Sequence, residues 1–250
     1  MGTLIHTGAH VDSAAQLGVD VEVMPGAVVT RWARVGDRTV IHPGAVIGSD
    51  PQYLGVDRTI STHVELGADS VIRESATINR SMYEGKATVI GERCFFMACS
   101  HAGHDCEVAD DVVLANNAML AGHVSVGANT FVGGGAGIHQ FCRIGDVAMV
   151  AGLARITKDV PAFCMVAERD ELTGLNLVGL KRRGWTRDVI MEIKDSYRAV
   201  LGEPGNPRPR AAALLPTATS EPARRFLEFF AGGKRGFAQP VRSSSRSTPA

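Results

Sequence analysis

Large apolar residues recur every six positions along the first fifth of the chain. An amphipathic α-helix repeats every 3.6 residues and a half-buried strand every two, so a strict period of six indicates a short strand followed by a corner. Such units bury their apolar side chains only by stacking, which predicts a mainly β fold, a parallel β-helix built from hexapeptide repeats. The recurring residues are Ile5, Val11, Leu17, Val23, Val29, Val35, Ile41 and Ile47.

A segment from Ser49 to Thr59 breaks the phase and is predicted to be a loop. Counting resumes at Ile60 and runs to Ile156, with only Glu84 and Ala102 departing from the apolar pattern. Three units per turn give a triangular prism with about 18 residues per coil and coils roughly 4.8 Å apart. Residues 18 apart are therefore expected to lie directly above one another.

The pattern changes near Lys158, which places the end of the β-helix close to residue 162. From about Arg169 the apolar spacing becomes helical, a second helix is predicted to end at Gly202, and a third to begin near Ser220. The Ser-rich end of the chain is predicted to be disordered. The expected organisation is a β-helix over 1–162, an α-helical C-terminal domain over 163–235 and a disordered tail over 236–250.

Composition narrows the function classes. Lys and Arg together number 26, as do Asp and Glu, so no global charge attracts nucleic acid. No run approaches the roughly 20 apolar residues of a membrane span, so stable membrane insertion is not expected. The first residues lack a signal-peptide pattern, so we expect the protein to be cytoplasmic. The five cysteines lack a Cys-x-x-Cys pair, which favours free thiols over disulfides or structural zinc.

The spacing of 18 creates a polar column on one edge of the prism. His104, Gly122 and Gln140 are 18 apart, and Asp105 and His123 start the neighbouring column, which Phe141 continues. An imidazole, a closely approachable backbone N–H and an amide over about 10 Å suit general-base catalysis with oxyanion stabilisation.

Two other interpretations of these histidines remain open at this point. They cap corner hydrogen bonds, or they bind zinc, as in the gamma-type carbonic anhydrases, where hexapeptide prisms hold the metal through histidines of two neighbouring subunits.

A basic run follows the β-helix. Lys181, Arg182 and Arg183 are adjacent and precede Trp185, which suits a phosphorylated ligand because guanidinium groups bind phosphate bidentately. Cations at the end of a helix also interact favourably with the helix dipole, so a solvated helix end is the alternative.

Together these segments resemble the acyl-carrier-protein-dependent UDP-N-acetylglucosamine O-acyltransferases of lipid A biosynthesis. The likeness covers roughly residues 5–235, and its segments occur in the family's order. They are Ile72-Arg73-Glu74-Ser75-Ala76-Thr77-Ile78, His104-Asp105-Cys106, Leu114-Ala115-Asn116-Asn117-Ala118, Leu120-Ala121-Gly122-His123-Val124, His139-Gln140-Phe141 and Gly179-Leu180-Lys181-Arg182-Arg183-Gly184.

The resemblance implies a left-handed β-helix, a homotrimer with active sites between subunits, and an acyl donor carried on the phosphopantetheine of acyl carrier protein, with no other cofactor. The implied reaction moves a (3-hydroxy)acyl group to the 3-position of UDP-N-acetylglucosamine, the first step of lipid A biosynthesis. By resemblance, His104 is the general base, Asp105 orients it, and the Gly122 N–H binds the oxyanion.

Further family positions contact the substrate or the carrier, and none is a metal ligand. Gly152 matches the family's acyl-chain ruler, and a glycine there predicts an open groove and a long 3-hydroxyacyl donor. The matching contact residues are His101, His123, His139, Gln140, Asn176, Arg182 and Arg183.

Some residues depart from the family pattern. Tyr53 and Gly55 stand where an aspartate and a lysine commonly hold the acceptor, and Val178 stands where a glutamate is common. The acceptor is therefore expected to be UDP-N-acetylglucosamine or another UDP-amino-sugar, such as its 3-amino analogue. A non-catalytic scaffold that binds carrier protein or sugar is the remaining alternative.

Overall fold

A computed structural model describes residues 2–241, and most of the chain forms a left-handed parallel β-helix followed by helices, as predicted. The strands are mostly two residues long because the chain turns a corner of the prism once in every six residues. In chain order they are Leu4–Ile5 (β1), His10–Val11 (β2), Gln16–Leu17 (β3), Glu22–Val23 (β4), Val28–Val29 (β5), Ala33–Val35 (β6), Val40–Ile41 (β7), Val46–Ser49 (β8), His63–Leu66 (β9), Val71–Ile72 (β10), Thr77–Asn79 (β11), Ala87–Ile90 (β12), Phe95–Phe96 (β13), His101–Ala102 (β14), Glu107–Val108 (β15), Val113–Leu114 (β16), Met119–Leu120 (β17), Ser125–Val126 (β18), Phe131–Val132 (β19), Gly137–Ile138 (β20), Arg143–Ile144 (β21), Met149–Val150 (β22), Arg155–Ile156 (β23), Cys164–Ala167 (β24), Glu171–Leu175 (β25) and Gln239–Pro240 (β26).

The strands form the three sides of the prism. Sheet A runs β1-β4-β7-β10-β13-β16-β19-β22-β24-β25-β26, sheet B runs β2-β5-β8-β11-β14-β17-β20-β23, and sheet C runs β3-β6-β9-β12-β15-β18-β21. In a typical strand the second residue points inward, as Phe96 and Leu114 do with no exposed surface, while its predecessor points out. The apolar residue of each repeat therefore builds one continuous core along the axis.

The register confirms a coil of 18 residues over most of the prism. Phe95, Val113, Phe131 and Met149 pair in sequence, each 18 positions after the last. Ala102 is buried in β14, so its departure from the pattern is one of size only.

Two coils are longer than 18 residues. Val40 pairs with Val71, 31 positions later, because the loop over residues 50–62 leaves the prism, and Ile60 lies in that loop rather than in a strand. Val71 pairs with Phe95, 24 positions later, because residues 80–86 form a second loop. This loop lengthens the coil by six residues, which is one full repeat, so the period of six continues through it in the sequence. Within residues 80–86 the loop interrupts the apolar pattern only at Glu84.

The segment after the prism differs from the sequence prediction at both ends. The helical pattern expected from Arg169 is wrong, because β24 and β25 form an antiparallel hairpin that extends sheet A. The disorder expected from Gly236 is also wrong at its start, since Phe237 and Ala238 are buried and β26 pairs with β25. The rest of the predicted disordered tail, residues 242–250, lies outside the described residues.

Four α-helices complete the C-terminal part. Those of eight or more residues form a small cluster in which Ile193, Val200, Phe226 and Phe230 are buried. Within residues 2–241, no helix combines the length and the apolar character needed to cross a bilayer. The helices are Leu177–Arg182 (α1), Arg187–Leu201 (α2), Pro207–Leu214 (α3) and Glu221–Glu228 (α4), with 3₁₀ turns at Leu215–Thr217 and Phe229–Ala231.

Buried polar contacts fasten this cluster to the base of the prism. The Arg143 guanidinium pairs with Asp159 at 2.9 Å and donates to the Phe229 carbonyl at 3.0 Å. Asp159 is fully buried. Because Arg143 is in β21, the last strand of sheet C, its bond to the Phe229 carbonyl joins that sheet to the helices. All five cysteines are free thiols, as expected.

Candidate active site

The corner between sheets B and C carries the predicted polar columns. Asp105, His123 and Phe141 occupy equivalent corner positions in successive coils, with φ of 59°, 62° and 65°. The His123 amide donates to the His104 carbonyl at 3.0 Å, so consecutive corners are hydrogen-bonded to each other. The spacing of 18 therefore stacks these residues as the sequence predicted.

His104 is held by the carboxylate beside it. Its Nδ1 lies 2.8 Å from Asp105 Oδ2, and both side chains are largely buried, with 15% and 10% of their surface exposed. An imidazole that donates from Nδ1 keeps Nε2 free to accept a proton, which is the tautomer a general base requires.

Asp105 is fixed by the loop over residues 80–86. The Ser81 hydroxyl and the Met82 amide both donate to its carboxylate, and the Asp105 amide donates to the buried Thr88 hydroxyl at 2.7 Å. Burial works to raise the pKa of Asp105, but the hydrogen bonds from His104, Ser81 and Met82 outweigh it and hold that pKa below its ordinary value. The carboxylate stays ionised and can stabilise a protonated His104.

Gly122 lies directly against the imidazole. A Cβ on Gly122 would come within 2.6 Å of both Cε1 and Nε2 of His104, so only glycine allows this approach. Among the described residues no acceptor takes the Gly122 N–H. A base nitrogen and an uncommitted backbone donor therefore face the same space.

The neighbouring histidines are shifted towards their neutral forms. Burial lowers the pKa of His101, with a further contribution from His104, and burial also lowers the pKa of His123. The His123 ring stacks on Phe141 with centroids 4.4 Å apart and meets the His104 ring edge-on at 5.0 Å. His101 Nδ1 lies 2.7 Å from the Thr77 hydroxyl. Neutral rings offer hydrogen bonds to a ligand without adding positive charge.

A cavity of about 580 Å³ runs along the outside of sheet B, from the loop over residues 50–62 past His104. The end at β11 and the first loop is polar, Met119 and Gly137 make the middle apolar and open, and Arg155 and Thr157 make the opposite end polar as well. Its lining residues include Gln52, Tyr53, Asn79, His101, His104, Met119, Gly122, Gly137, His139, Gln140, Arg155 and Thr157.

Known proteins match most of this chain. The family model described as UDP-N-acetylglucosamine O-acyltransferase, domain 2, matches residues 159–238. The acyl-[acyl-carrier-protein]–UDP-N-acetylglucosamine O-acyltransferase of Campylobacter concisus is 36% identical over 234 residues, covering 93% of this chain and 89% of its own. That of Rhizobium johnstonii is 38% identical over 243 residues, covering 95% and 87%.

The chain belongs to this acyltransferase family. The UDP-N-acetylglucosamine acyltransferase of Campylobacter jejuni has a similar solved structure, with a TM-score of 0.83 and 32% identity over 95% of this chain and 100% of its own. The corresponding enzyme of Bacteroides fragilis gives a TM-score of 0.85 at 26% identity, over 96% and 100%.

Six predicted site residues of this acyltransferase do not line the cavity of their own chain: Asp105 and His123 contact His104 beside it, and four others lie farther away. Gly152 is at the edge between sheets A and B, where a Cβ would lie 3.3 Å from the Gly134 carbonyl. Asn176 caps α1, accepting from the Gly179 amide at 3.0 Å and donating to the Val147 carbonyl at 2.9 Å. Arg182 and Arg183 are exposed at the end of α1.

The acyltransferase site also contains a possible metal-ligand set. The candidate ligand atoms of His104, Asp105 and His123 all lie within 4.8 Å of one another. The Asp105 carboxylate, however, already accepts from Ser81, Met82 and His104. A metal ion would have to displace these hydrogen bonds, so the donor set suits an oriented base better than a metal centre.

The residues that the sequence did not reveal come mainly from the two loops. Ser81, Met82 and Asn79 reach the site because the loop over residues 80–86 leaves the prism beside His104. Arg235 arrives from the far end of the chain, and its guanidinium lies 3.1 Å from His139 Nδ1. Glu84, a polar residue at an apolar position of the repeat, was the available signal for the first group, and nothing in the periodic pattern marks the second.

Proposed function

We propose that this acyltransferase moves a (3-hydroxy)acyl group from acyl carrier protein to the 3-position of UDP-N-acetylglucosamine or a close UDP-amino-sugar, the first step of lipid A biosynthesis. The observation that carries the proposal is the contact of the Asp105-bound His104 ring with Gly122 at the wall of the cavity. The names of the relatives supply the substrate class.

In the proposed reaction, His104 Nε2 takes the proton of the acceptor hydroxyl or amine as that oxygen or nitrogen attacks the thioester carbon. The carbonyl oxygen becomes an oxyanion and accepts a hydrogen bond from the Gly122 N–H. The C–S bond then breaks, and the leaving phosphopantetheine thiolate takes the proton from the His104 imidazolium. Asp105 stabilises that imidazolium throughout, and no covalent enzyme intermediate forms.

We also propose that the working unit is a homotrimer in the cytoplasm. From Val40 to Met149 the outer surface of sheet A is a row of apolar side chains, and Phe131 and Met149 are 38% and 40% exposed. Covering this row with a neighbouring copy removes apolar surface from water. In such a trimer, a neighbouring subunit would bring Asn176, Arg182 and Arg183 to the cavity. In a single chain these residues do not line it.

The remaining parts of the proposal concern the two substrates. The exposed end of α1, with Lys181, Arg182 and Arg183, supplies cations for a phosphate of the nucleotide or of the carrier's phosphopantetheine. Because Gly152 has no side chain, the groove at the edge between sheets A and B stays open there. This supports a long acyl donor. Assays that favour the shortest donor would contradict that choice.

One experiment tests the proposed function. The purified protein is incubated with 3-hydroxyacyl carrier proteins of several chain lengths and a panel of UDP-sugars, including UDP-N-acetylglucosamine and its 3-amino analogue. Mass spectrometry should detect a UDP-amino-sugar carrying the acyl group, formed with the wild type and lost with His104→Ala. Absence of product with every donor and acceptor would overturn the proposal, and the product formed would identify the acceptor.

A further inference from the structure

One buried polar atom in the lining of the cavity has no hydrogen-bond partner in the part of the chain that the structure describes. Asn79, the last residue of β11, is only 2% exposed. Its side-chain nitrogen lies 2.7 Å from Ser49 Oγ, and its Oδ1 receives no hydrogen bond from any residue that the structure describes. A buried amide oxygen without a donor is unfavourable, and native structures rarely retain one without a purpose.

The register places Asn79 beside the base. Thr77 pairs with His101 and Ile78 with Ala102, so Asn79 lies one coil, about 4.8 Å, from Gly103, the residue before His104. Ser49 pairs with Asn79 at a register shift, which is where both chain segments leave sheet B for their loops. Asn79 also lines the cavity, so its free amide oxygen belongs to the wall that an acceptor bound beside His104 would contact.

The chemistry of the cavity decides which substrate meets this oxygen. The apolar middle, with Met119 and Gly137, suits an acyl chain, which has no hydrogen-bond donor to offer. The polar end at β11, with Gln52, His101 and Asn79, suits a sugar, whose hydroxyl and N–H groups are donors.

We propose that Asn79 is a specificity-determining residue that accepts a hydrogen bond from a ring hydroxyl or N–H of the acceptor sugar. This inference rests on the proposed function, since it assigns a contact within the same site. Ligand binding then satisfies the amide oxygen that the protein leaves unpaired, and an acceptor without the donor at that point is rejected.

The test compares Asn79→Leu with the wild type, because leucine has a similar size and cannot accept a hydrogen bond. Acceptor kcat/KM should fall about 10- to 100-fold, since the sugar donor loses its partner on leaving water. The KM for the acyl carrier protein should change less than about 2-fold. The melting temperature should change little, because the substitution removes the unpaired Oδ1 together with the hydrogen bond from the side-chain nitrogen to Ser49 Oγ.

Ser100→Ala is a matched control. Ser100 is 1% exposed and its Oγ is also buried with no hydrogen-bond partner within residues 2–241, but it does not line the cavity. Its replacement should leave acceptor kcat/KM unchanged. A panel of monodeoxy UDP-sugars then identifies the bonded group, because one analogue should lose activity with the wild type and lose nothing further with Asn79→Leu.

The outcomes separate the two proposals. Wild-type protein that acylates no UDP-sugar contradicts the proposed function. Wild-type turnover with unchanged acceptor kcat/KM in Asn79→Leu overturns only the assignment of Asn79. Equal losses in both substrates' kcat/KM together with a lower melting temperature also overturn it, because that result indicates a structural role.

Discussion

At the scale of single residues, the site depends on the absence of a Cβ at Gly122 as much as on the imidazole of His104. The proposed base and the backbone donor share one space only because no Cβ separates them. The sequence predicted this contact, since the two residues are 18 apart in coils of regular length. It did not predict the Ser81 hydroxyl on Asp105, because the loop that carries Ser81 adds one whole repeat and leaves the apolar period unchanged.

Gly122→Ala should uncouple the base from its carboxylate. The new Cβ would lie 2.6 Å from Nε2 of His104, so the ring must turn away from Asp105. We expect kcat to fall by about 10²-fold or more, in line with the loss of a general base, while the far-UV circular dichroism spectrum stays that of the wild type. Wild-type kcat in this variant would mean that the His104 ring works in another position.

Stability should depend on pH through His101. Its folded-state pKa lies below the ordinary value of 6.5, so between the two pKa values the unfolded chain binds more protons than the folded one. The free energy of unfolding should therefore decrease as pH falls through about 6.5, and His123 acts in the same direction. Urea titrations at pH 8, 7, 6 and 5 should show this slope, with a shallower one for His101→Gln. Equal slopes would contradict it.

At the scale of elements, two loops interrupt an otherwise regular prism, and one buried side chain joins them. Arg80 is 1% exposed and donates to the Ile60 carbonyl at 2.9 Å and to the Thr62 hydroxyl at 2.8 Å. It also pairs with Asp50 at 3.0 Å and covers the Trp32 ring at 4.6 Å. The first loop, which carries the departures Tyr53 and Gly55, is therefore fixed by the residue that precedes Ser81.

Arg80→Met should lower the free energy of unfolding by about 2–4 kcal/mol, because it leaves the Ile60 carbonyl and the Thr62 hydroxyl without their buried donor. Arg58→Met is the matched control. Arg58 pairs with the same Asp50 at 3.0 Å, but its side chain is 78% exposed, and an exposed pair contributes about 0–1 kcal/mol. Denaturant unfolding of both variants measures the difference, and equal effects would contradict a buried role for Arg80.

The hairpin of β24 and β25 shows where periodic patterns mislead. Leu172, Leu175 and Leu180 fit a helical spacing, yet Leu172 and Leu175 are the buried residues of a strand. The competing signal was the open edge of sheet A, where β22 pairs with β24 and leaves a place for another strand. The sequence shows the apolar positions of this segment, but it does not show the open edge of sheet A with which the segment pairs.

At the scale of the whole molecule, the three sides of the prism differ in their outer surfaces. Sheet A presents only apolar side chains over six successive coils, whereas sheet C presents Arg34, Glu65, Glu107 and Arg143. An apolar stripe of this length is typical of a protein–protein interface. The outward residues of sheet A are Val40, Val71, Phe95, Val113, Phe131 and Met149.

Phe131→Glu should break the proposed trimer by placing a charge within that stripe. We expect light scattering at micromolar concentration to give the mass of three chains for the wild type and of one chain for the variant. Since Asn176, Arg182 and Arg183 do not reach the cavity of their own chain, acyltransferase activity should be lost together with the trimer. A fully active monomer would contradict the assembly.

The most direct test of the account concerns His104 in an otherwise intact enzyme. Steady-state turnover of His104→Ala is measured with acyl carrier protein and the acceptor identified by mass spectrometry, on protein whose mass and melting temperature match the wild type. We expect kcat to fall by about 10²- to 10⁴-fold, with acceptor KM changing much less, because the proposed base acts on the proton transferred in the reaction. Turnover within a few-fold of the wild type would contradict it.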